Sequence, residues 1–464
     1  MYRGRIKNIH FVGVGGAGMS GIAEVLLNLG YRVSGSDLKA TGVTDRLGAL
    51  GIKIVTGHRK ENVSGADVVV YSSAVRQDNP EIVESREQQI PVIPRAEMLA
   101  ELMRVKHGIA VAGTHGKTTT TSMIAAMLGH AGIDPTVVIG GKLNSMGSNA
   151  KLGKGEYLVA EADESDGSFM KLSPTIAVVT NIDREHMDYY DDMDDVLRNY
   201  LSFINKVPFY GCAILCLDHP NIQSLMPSVT RRHVTYGMTV QSDVSARDIE
   251  QKEMTTSFDL WYRGERLGRV SLGMPGEHSV YNALAAIAVG LELGVDFKEI
   301  AEGLEGFDGV QRRFQLKGEV GDIIVVDDYG HHPEEIKVTL RAAKEGWGRR
   351  VVAVFQPHRY TRTRDLLSDF FSAFNDADSL VVTDIYPAGE EPIEDVSSMA
   401  LFEGIKAHGH KDVIYIPELN DVVEYLVKRL SPGDLIVTLG AGDIWEVGER
   451  VLEKVDGDRE VKAP

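Results

Sequence analysis

The chain has 464 residues, of which 43% are hydrophobic and 25% are charged, proportions that are typical of a soluble globular protein. This length exceeds what one hydrophobic core usually serves and indicates roughly three domains. The formal net charge of −18 argues against a nucleic-acid partner, because binding a phosphate backbone requires an excess of Lys and Arg. No signal sequence or membrane-spanning apolar stretch is recognisable, so we expect a cytoplasmic protein without a membrane partner.

Residues 1–105 alternate short apolar runs with helical segments. This alternation is typical of a parallel sheet whose strands are joined by crossover helices. The candidate strands occupy residues 9–12, 32–36, 52–55, 68–71 and 92–93.

The first glycine loop, residues 13–18, follows the first candidate strand. Gly13, Gly15 and Gly18 fit the G-x-G-x-x-G pattern, and Asp37 follows nineteen residues later at the end of the next strand. On spacing alone this is a dinucleotide fingerprint with Asp37 on a ribose hydroxyl, which favours an NAD-dependent oxidoreductase. The fingerprint recognises a diphosphate and a ribose, however, so a sugar nucleotide would satisfy it equally well.

A second series of strands follows, and it carries a different glycine loop. The candidate strands occupy residues 108–112, 157–160, 176–180 and 213–216, and a helix lies near 280–293. Cys212 and Cys216 fall in an apolar run, so we expect buried, reduced thiols rather than a disulfide or a metal site. The polar stretch 234–270 has β-strand character and predicts a separate small sheet.

The second glycine loop, residues 113–119, ends like a P-loop. In such a loop the lysine, here Lys117, reaches the outer phosphates, and the hydroxyl of Thr118 ligates Mg²⁺. The full pattern requires glycine at position 111, where this chain has Val111, so the loop is a shortened variant. Glu161 ends the neighbouring strand, where ATP-hydrolysing domains need a Mg²⁺ ligand. We therefore predict an ATP site with Mg²⁺.

His186 follows the next strand, in the acidic segment 181–188. Most histidines in such a segment are solvated surface residues. Beside an ATP site, His186 could instead ligate a second metal ion or accept a proton.

A third series of strands predicts another α/β domain. They occupy residues 323–326, 351–355, 379–382, 413–415 and 435–439. We place the boundaries near 105 and 313, which gives three domains at 1–105, 106–313 and 314–464.

Four motifs, in this order and over this length, resemble those of the Mur ligases, the ATP-dependent amide-bond-forming enzymes of bacterial cell-wall precursor synthesis. They read G-T-H-G-K-T-T from Gly113, E-A-D-E-S-D from Glu161, T-N-I-D-R-E-H-M-D from Thr180 and D-D-Y-G-H-H-P from Asp327. Within that family, G-V-G-G-A-G-M-S from Gly13 and F-Q-P-H-R-Y-T-R-T from Phe355 are similar to the member that joins L-alanine to UDP-N-acetylmuramate. That reaction is the first amino-acid addition in peptidoglycan precursor synthesis.

The resemblance implies three α/β domains in series: a Rossmann-like UDP-sugar-binding domain, a P-loop ATP-binding central domain and a Rossmann-like C-terminal domain. The first loop would then bind UDP-N-acetylmuramate rather than NAD. The implied UDP-sugar-binding residues are Gly15, Ala17, Gly18, Met19, Ser20, Asp37, Ser72, Ser73 and Arg95.

The resemblance also assigns the ATP site and the catalytic groups. The implied ATP-binding residues are Gly113, Thr114, His115, Gly116, Lys117, Thr118, Thr119, Asn282, Arg313, Tyr329 and His331. Lys117, Glu161, His186 and Asp328 would be catalytic, and Thr118, Glu161 and His186 would hold metal. The chain departs from the family pattern H-N-x-x-N, because Ser279 stands where the first asparagine is expected. Asn282 remains as the adenine contact, and Arg313 could instead serve as a hinge.

The third domain is expected to bind the amino acid. The fork of an arginine pairs bidentately with a carboxylate, and we choose Arg362 for L-alanine, with His358 beside it. Arg359 and Arg364 are expected to be solvated or to cap a helix. His332 is expected to be part of a simple turn, with Pro333 at the first helical position.

Two alternatives stay open at this point. A murein peptide ligase would use the same chemistry with a tripeptide as the amino donor. An NAD-dependent oxidoreductase would explain the first loop and leave the second loop and the third domain without a role. The sequence does not distinguish a monomer from a homodimer.

Overall fold

The computed structural model describes residues 6–72, 74–139, 150–187 and 189–460. The chain divides into two compact units. The first holds the described parts of Met1–Asp248 with Phe258–Val270 and Tyr281–Val310, and the second holds Ile249–Ser257, Ser271–Val280 and the described part of Gln311–Pro464.

The amino-terminal part forms a parallel sheet with the order β3-β2-β1-β4-β5. Its strands are β1 (Asn8–Val12), β2 (Arg32–Asp37), β3 (Lys53–Thr56), β4 (Val68–Tyr71) and β5 (Val92–Pro94). Its helices are α1 (Ala17–Asn28), α2 (Gly42–Ala49), α3 (Pro80–Glu87) and α4 (Arg95–Met103). The strand order reverses at β1, which puts the first glycine loop at the switch point where open α/β sheets bind ligands.

The next part of the chain builds the sheet β15-β14-β13-β12-β11-β10-β6-β9-β7-β8. Its strands are β6 (His107–Ala112), β7 (Thr136–Val138), β8 (Ala150–Lys151), β9 (Tyr157–Glu161), β10 (Ile176–Val179), β11 (Cys212–Cys216), β12 (His233–Gly237), β13 (Val244–Lys252), β14 (Thr255–Tyr262) and β15 (Glu265–Leu272). Its helices are α5 (Lys117–His130), α6 (Met193–Ile204), α7 (Pro220–Leu225), α8 (Glu277–Glu292) and α9 (Phe297–Glu305).

The prediction of a separate small sheet over 234–270 is wrong. Strands β13, β14 and β15 continue the edge of the large sheet, because β13 pairs with β12 in parallel register. Only two residue pairs make this junction, Tyr236↔Val244 and Gly237↔Ser245. Because this contact is so short and is flanked by polar residues, the sequence shows no periodicity that would predict a continuous sheet.

The carboxy-terminal part forms the sheet β16-β17-β21-β18-β19-β20, in which β16 runs antiparallel to β17 and the other neighbours are parallel. Its strands are β16 (Gln315–Val320), β17 (Ile323–Asp328), β18 (Arg350–Phe355), β19 (Ser379–Val382), β20 (Val413–Tyr415) and β21 (Asp434–Leu439). Its helices are α10 (Pro333–Trp347), α11 (Tyr360–Asp365), α12 (Leu367–Phe370), α13 (Ser398–Ala407), α14 (Leu419–Arg429) and α15 (Trp445–Glu460). Apolar clusters cover both faces of this sheet, so its central strands are buried runs rather than alternating ones.

The two cysteines are free and buried in β11, as the sequence predicts. Burial raises the pKa of the Cys212 thiol to about 12 and that of Cys216 to about 11. No helix among the described residues is long and apolar enough to cross a membrane.

Glu81 is a completely buried carboxylate in the first turn of α3. Ser36 Oγ donates to its Oε2 at 2.6 Å, Asn62 Nδ2 donates to its Oε1 at 2.5 Å, and His10 Nε2 lies 3.2 Å from Oε2. Burial opposes the charged form, but the hydrogen bonds from His10, Ser36 and Asn62 outweigh it and lower the pKa of Glu81 to about 2. The charged network therefore stabilises the fold behind the first glycine loop.

We expect Glu81→Gln to destabilise the first unit by about 3 kcal/mol at pH 7, because it leaves the partners of a buried charge unsatisfied. The pKa of Glu81 in the folded protein lies below its ordinary value of 4.5, so its contribution is present above pH 4.5 and is lost as the pH falls towards 2. Urea unfolding at pH 7 and pH 3 measures this, and the difference in stability between the two proteins should be smaller at pH 3 than at pH 7. Glu87→Gln, on the exposed side of α3, is the control; a difference that does not change with pH would contradict the prediction.

Candidate functional site

The first glycine loop is held open by the end of β2. Gly13 has a φ of +79°, and the N–H groups of Gly13 and Val14 both donate to the carbonyl of Ser36, at 2.9 and 3.0 Å. The N–H of Gly15 donates to Asp37 Oδ2 at 2.8 Å. In this structure one oxygen of Asp37 therefore orders the loop, and its predicted contact with a ribose stays a prediction.

The residues that follow this loop form the first turn of α1. Met19 and Ser20 are buried, and their N–H groups donate to the carbonyl of Gly16 at 3.0 and 2.9 Å. The N–H groups of Ala17 and Gly18 begin the helix, where no preceding helical carbonyl can accept them. A diphosphate would therefore meet the backbone of Ala17 and Gly18, while Met19 and Ser20 pack beneath the loop.

Arg95 crosses the start of α1 and connects it to the turn after β9. A Cβ at Gly18 would lie 2.7 Å from Arg95 Nη1, so a larger residue would displace the guanidinium from this position. Arg95 Nη2 donates to Asp163 Oδ2 at 2.8 Å. Ser72 lies beside Gly13, because a Cβ there would be 3.3 Å from Ser72 Cβ. Ser73, also predicted here, lies outside the described residues.

The second glycine loop is clamped by the segment after β10. Thr180 Oγ1 donates to the carbonyl of His115 at 2.6 Å, and the N–H of His115 donates to Asn181 Oδ1 at 2.7 Å. The N–H of Asp183 donates to Thr114 Oγ1 at 2.8 Å. The T-N-I-D motif thus fixes the shape of the loop, a role that its sequence did not reveal.

Two glycines of this loop have no room for a side chain. Gly113 has a φ of +139° and lies against Thr180, and Gly116 has a φ of +79° and lies against Asn282. Asn282 Oδ1 accepts a hydrogen bond from Thr120 Oγ1 at 3.1 Å. The structure therefore brings Asn282 to the second glycine loop, and its predicted adenine contact stays a prediction.

Ser279, which replaces the asparagine of the family pattern, is completely buried. Its hydroxyl donates to the carbonyl of Pro275 at 2.7 Å. This bond gives the buried hydroxyl an acceptor four residues earlier in the chain, so the serine has a structural use of its own.

Lys117 is the first residue of α5, and its ammonium group donates hydrogen bonds to three acceptors. Its Nζ donates to Glu164 Oε1 at 2.5 Å and to the loop carbonyls of Gly113 and Thr114 at 2.5 and 3.2 Å. The Glu164 carboxylate outweighs the effect of burial and raises the pKa of Lys117. Burial raises the pKa of Glu164 to about 7 despite the ammonium group. Glu164 was not predicted from the sequence, although the motif E-A-D-E-S-D contains it as a second glutamate beside Glu161.

A cavity of about 300 Å³ joins the two glycine loops within the first unit. The predicted residues Gly18, Arg95, Lys117 and Glu161 all line it, together with Asp163 and an apolar wall. Two loops that lie about a hundred residues apart in sequence thus face one space. The predicted Thr118 and Thr119 follow Lys117 in the first turn of α5, where Thr119 is buried.

His186 occupies a turn after β10 and has a φ of +57°, which is uncommon for a residue other than glycine. Its Nε2 lies 3.8 Å from Glu164 Oε1 and 3.8 Å from Glu185 Oε2. Among the described residues no three side chains of His, Cys, Asp or Glu converge as a ready metal site. A Mg²⁺ ion here would need phosphate and water oxygens to complete its shell, as it usually does.

The second unit contains the other predicted residues. Asp328 is buried at the end of β17, and its two oxygens accept the N–H groups of Phe314 and Gly330, each at 2.7 Å. Burial raises the pKa of Asp328. This geometry gives Asp328 a positioning role, because both oxygens hold the loop that carries Tyr329 and His331.

Aromatic and cationic side chains surround that loop. The guanidinium groups of Arg312 and Arg313 lie 5.2 and 5.3 Å from the centroid of the Tyr329 ring. His331 Nδ1 lies 3.0 Å from the carbonyl of Tyr329. His332 caps α10 with its Nδ1, which accepts the N–H of Glu334 at 3.3 Å and agrees with the expected turn.

His358 and Arg362 lie together at the start of α11. Arg362 Nη1 is 3.3 Å from His358 Nδ1 and 3.3 Å from its carbonyl oxygen. The His358 ring stacks on Tyr386, with centroids 5.6 Å apart and planes 8° apart, and lies 5.8 Å from the His331 ring. Burial, with the neighbouring His331 and Arg362, lowers the pKa of His358 to about 3, so the imidazole is neutral. Tyr386 carries no sequence signal that would have linked it to this cluster.

Known proteins match the chain over nearly its whole length. Residues 8–107, 111–290 and 312–442 match models of the Mur ligase family catalytic domain, the Mur ligase middle domain and the Mur ligase glutamate ligase domain. The UDP-N-acetylmuramate–L-alanine ligase of Geotalea uraniireducens is 62% identical over 455 residues, which cover 98% of this chain and 99% of that protein.

Solved structures show the same relationship. The UDP-N-acetylmuramate–alanine ligase of Thermotoga maritima has a TM-score of 0.82 at 31% identity and covers 97% of this chain and 99% of its own. A murein peptide ligase of Psychrobacter arcticus has a TM-score of 0.69 at 26% identity and covers 97% of this chain and 98% of its own.

These matches confirm the resemblance read from the motifs and the architecture of three α/β domains. The boundaries at 105 and 313 stay predictions. The oxidoreductase hypothesis is disfavoured, because the matched proteins carry ligase names over the full chain. By sequence and by structure, this chain belongs to the Mur ligase family.

Proposed function

We propose that this protein is an ATP-dependent ligase that joins L-alanine to the lactyl carboxylate of UDP-N-acetylmuramate. The observation that carries the proposal is the cavity in which the first glycine loop, Arg95, Lys117 and Glu161 meet. A sugar nucleotide at one loop and ATP at the other would share one space, as phosphoryl transfer between them requires. The name of the relative from Geotalea uraniireducens, a UDP-N-acetylmuramate–L-alanine ligase that is 62% identical, supports the choice of L-alanine as the amino donor.

The chemistry explains why ATP is needed. A carboxylate acylates an amine poorly, because its leaving group would be oxide. Transfer of the γ-phosphoryl group to the lactyl carboxylate gives an acyl phosphate and ADP. The amine of L-alanine attacks the carbonyl carbon, and the tetrahedral intermediate expels phosphate to leave the amide.

The second loop supplies the phosphoryl-transfer groups. Lys117 would offset charge that develops on the transferred phosphoryl group, and the backbone of the second glycine loop would cradle the phosphates. Thr118, Glu161 and His186 offer the oxygen and nitrogen donors that would hold Mg²⁺, which would neutralise phosphate charge when bound.

The amino-acid site would lie in the second unit, at His358 and Arg362. The Arg362 guanidinium would pair with the carboxylate of L-alanine, and the neutral His358 would keep the neighbouring space uncharged. A pocket that distinguishes L-alanine from glycine by one methyl group gains only about 1–3 kcal/mol of discrimination free energy. Strict selectivity therefore needs more than a pocket of the right volume.

A murein peptide ligase remains the second candidate within the family. The lower TM-score and identity of the murein peptide ligase of Psychrobacter arcticus favour the L-alanine ligase. ATP and Mg²⁺ are the proposed cofactors, the proposed location is the cytoplasm, and monomer and homodimer are both compatible with this function.

The first test is phosphate release from ATP in the presence of UDP-N-acetylmuramate, with single amino acids and the tripeptide as amino donors. We expect release that depends on both the sugar nucleotide and L-alanine. Release only with tripeptide would move the protein to peptide recycling. No release in any combination, together with NADH binding, would sink the proposal.

Arg362→Lys tests the amino-acid site. We expect the KM for L-alanine to rise by about tenfold or more, because lysine cannot form the bidentate pair, while the KM for ATP stays close to that of the parent. Steady-state kinetics with each substrate varied in turn measures this. Arg364→Lys, next to the exposed Asp365, is the control; an equal effect of both variants would contradict the assignment.

A further inference from the structure

A set of buried polar groups links the strands β1 and β2 to the helix α3. His10 lies in β1, with its Nδ1 2.9 Å from Ser34 Oγ and its Nε2 3.2 Å from Glu81 Oε2. Ser36 Oγ donates to the same Glu81 oxygen at 2.6 Å. His10, Ser36 and Glu81 are each at most 1% exposed. Apolar side chains of similar volume often fill such a space without loss of stability, so this polar set indicates a use beyond packing.

Glu81 also holds the segment that follows β3. Asn62 Nδ2 and the N–H of Arg59 both donate to its Oε1, at 2.5 and 3.2 Å. His58 Nδ1 lies 3.0 Å from Ser36 Oγ. One carboxylate therefore connects the first two strands of the sheet with the segment after the third, and its two oxygens receive hydrogen bonds from different parts of the chain.

Ser36 is the residue through which this network reaches the first glycine loop. Its hydroxyl donates to the buried carboxylate, and its carbonyl accepts the N–H groups of Gly13 and Val14. The next residue, Asp37, accepts the N–H of Gly15. Side chain and carbonyl belong to one residue, so a bond that fixes the hydroxyl also restrains the carbonyl. A glycine loop that is already ordered loses less conformational entropy when a ligand binds.

We propose that Glu81, acting through Ser36, is a positioning residue for the first glycine loop and thereby sets its affinity for the sugar nucleotide. His10 holds the Glu81 carboxylate from β1, so that the same oxygen faces Ser36. This role concerns the conformation of the loop in the folded protein and is separate from the contribution of Glu81 to folding stability. The inference rests on the proposed function, in which this loop binds the diphosphate of UDP-N-acetylmuramate.

The test measures the dissociation constants of UDP-N-acetylmuramate and ADP by titration calorimetry on the full chain. The temperature is one at which circular dichroism shows each variant to be folded. We expect Glu81→Gln and Ser36→Ala each to raise the dissociation constant of UDP-N-acetylmuramate by about tenfold, as the loss of one charge-assisted hydrogen bond predicts. The dissociation constant of ADP should stay close to that of the parent. A purely structural role would lower stability and leave both constants unchanged, which would overturn the proposal.

A double variant tests whether Glu81 acts through Ser36. Glu81→Gln and Ser36→Ala remove or weaken the same hydrogen bond, so the two changes in one chain should raise the dissociation constant of UDP-N-acetylmuramate about as much as either alone. If the two effects multiply instead, the residues act independently, and the proposed route through Ser36 is wrong. If Glu81→Gln does not fold, Ser36→Ala alone must still show the rise.

Ile82→Ala is the matched control, because Ile82 is buried next to Glu81 in α3 and takes no part in the polar network. It should destabilise the protein by leaving a cavity, with both dissociation constants unchanged. A rise equal to that of Glu81→Gln would contradict the proposal. If the parent does not bind UDP-N-acetylmuramate, the proposed function itself fails. If the parent binds it and both network variants bind it equally tightly, only this inference is overturned.

Discussion

A glycine loop offers its backbone N–H groups to an anion only while other groups hold it open, and that constraint governs both loops of this protein. The first loop is held by the carbonyl of Ser36 and the carboxylate of Asp37, which end the neighbouring strand. The second is held by Thr180 and Asn181, which follow β10, a strand that pairs with β6. In each case the sheet supplies the rigidity that the glycines lack.

Buried carboxylates extend this arrangement beyond the loops. Glu81 bonds to Ser36 and therefore supports the first loop from behind. Glu164 bonds to Lys117 at the second, and Asp328 holds the backbone around Tyr329 in the second unit. Each carboxylate is buried where a hydrogen-bond donor is fixed by the fold, which offsets the loss of water. Buried carboxylates thus fix the conformation of the chain beside the loops that are proposed to bind ligands.

Much of the architecture could be predicted because buried parallel strands leave continuous apolar runs. The runs around Val12, Val111 and Val325 identified the centres of the three domains, and the loops after the first two were recognisable by their glycines. The edge strand β16 could not be predicted, because its sequence Gln-Leu-Lys-Gly-Glu-Val is mostly polar and partly exposed. The strands β13 to β15 were recognised as β-structure, but their attachment to the large sheet was not.

Some residues of the candidate site could also be predicted from the sequence, and others could not. Sequence by itself determined the family and the residues whose motifs are local, such as Lys117 and the loop around it, because a local motif needs only neighbouring residues. Tertiary structure alone decided which groups meet across long separations: Arg95 with Asp163, Lys117 with Glu164, and His358 with Tyr386. The second and third contacts arise where strands of one sheet end side by side, and the first joins the ends of strands from two sheets. The spacing of these residues along the chain does not predict any of the three contacts.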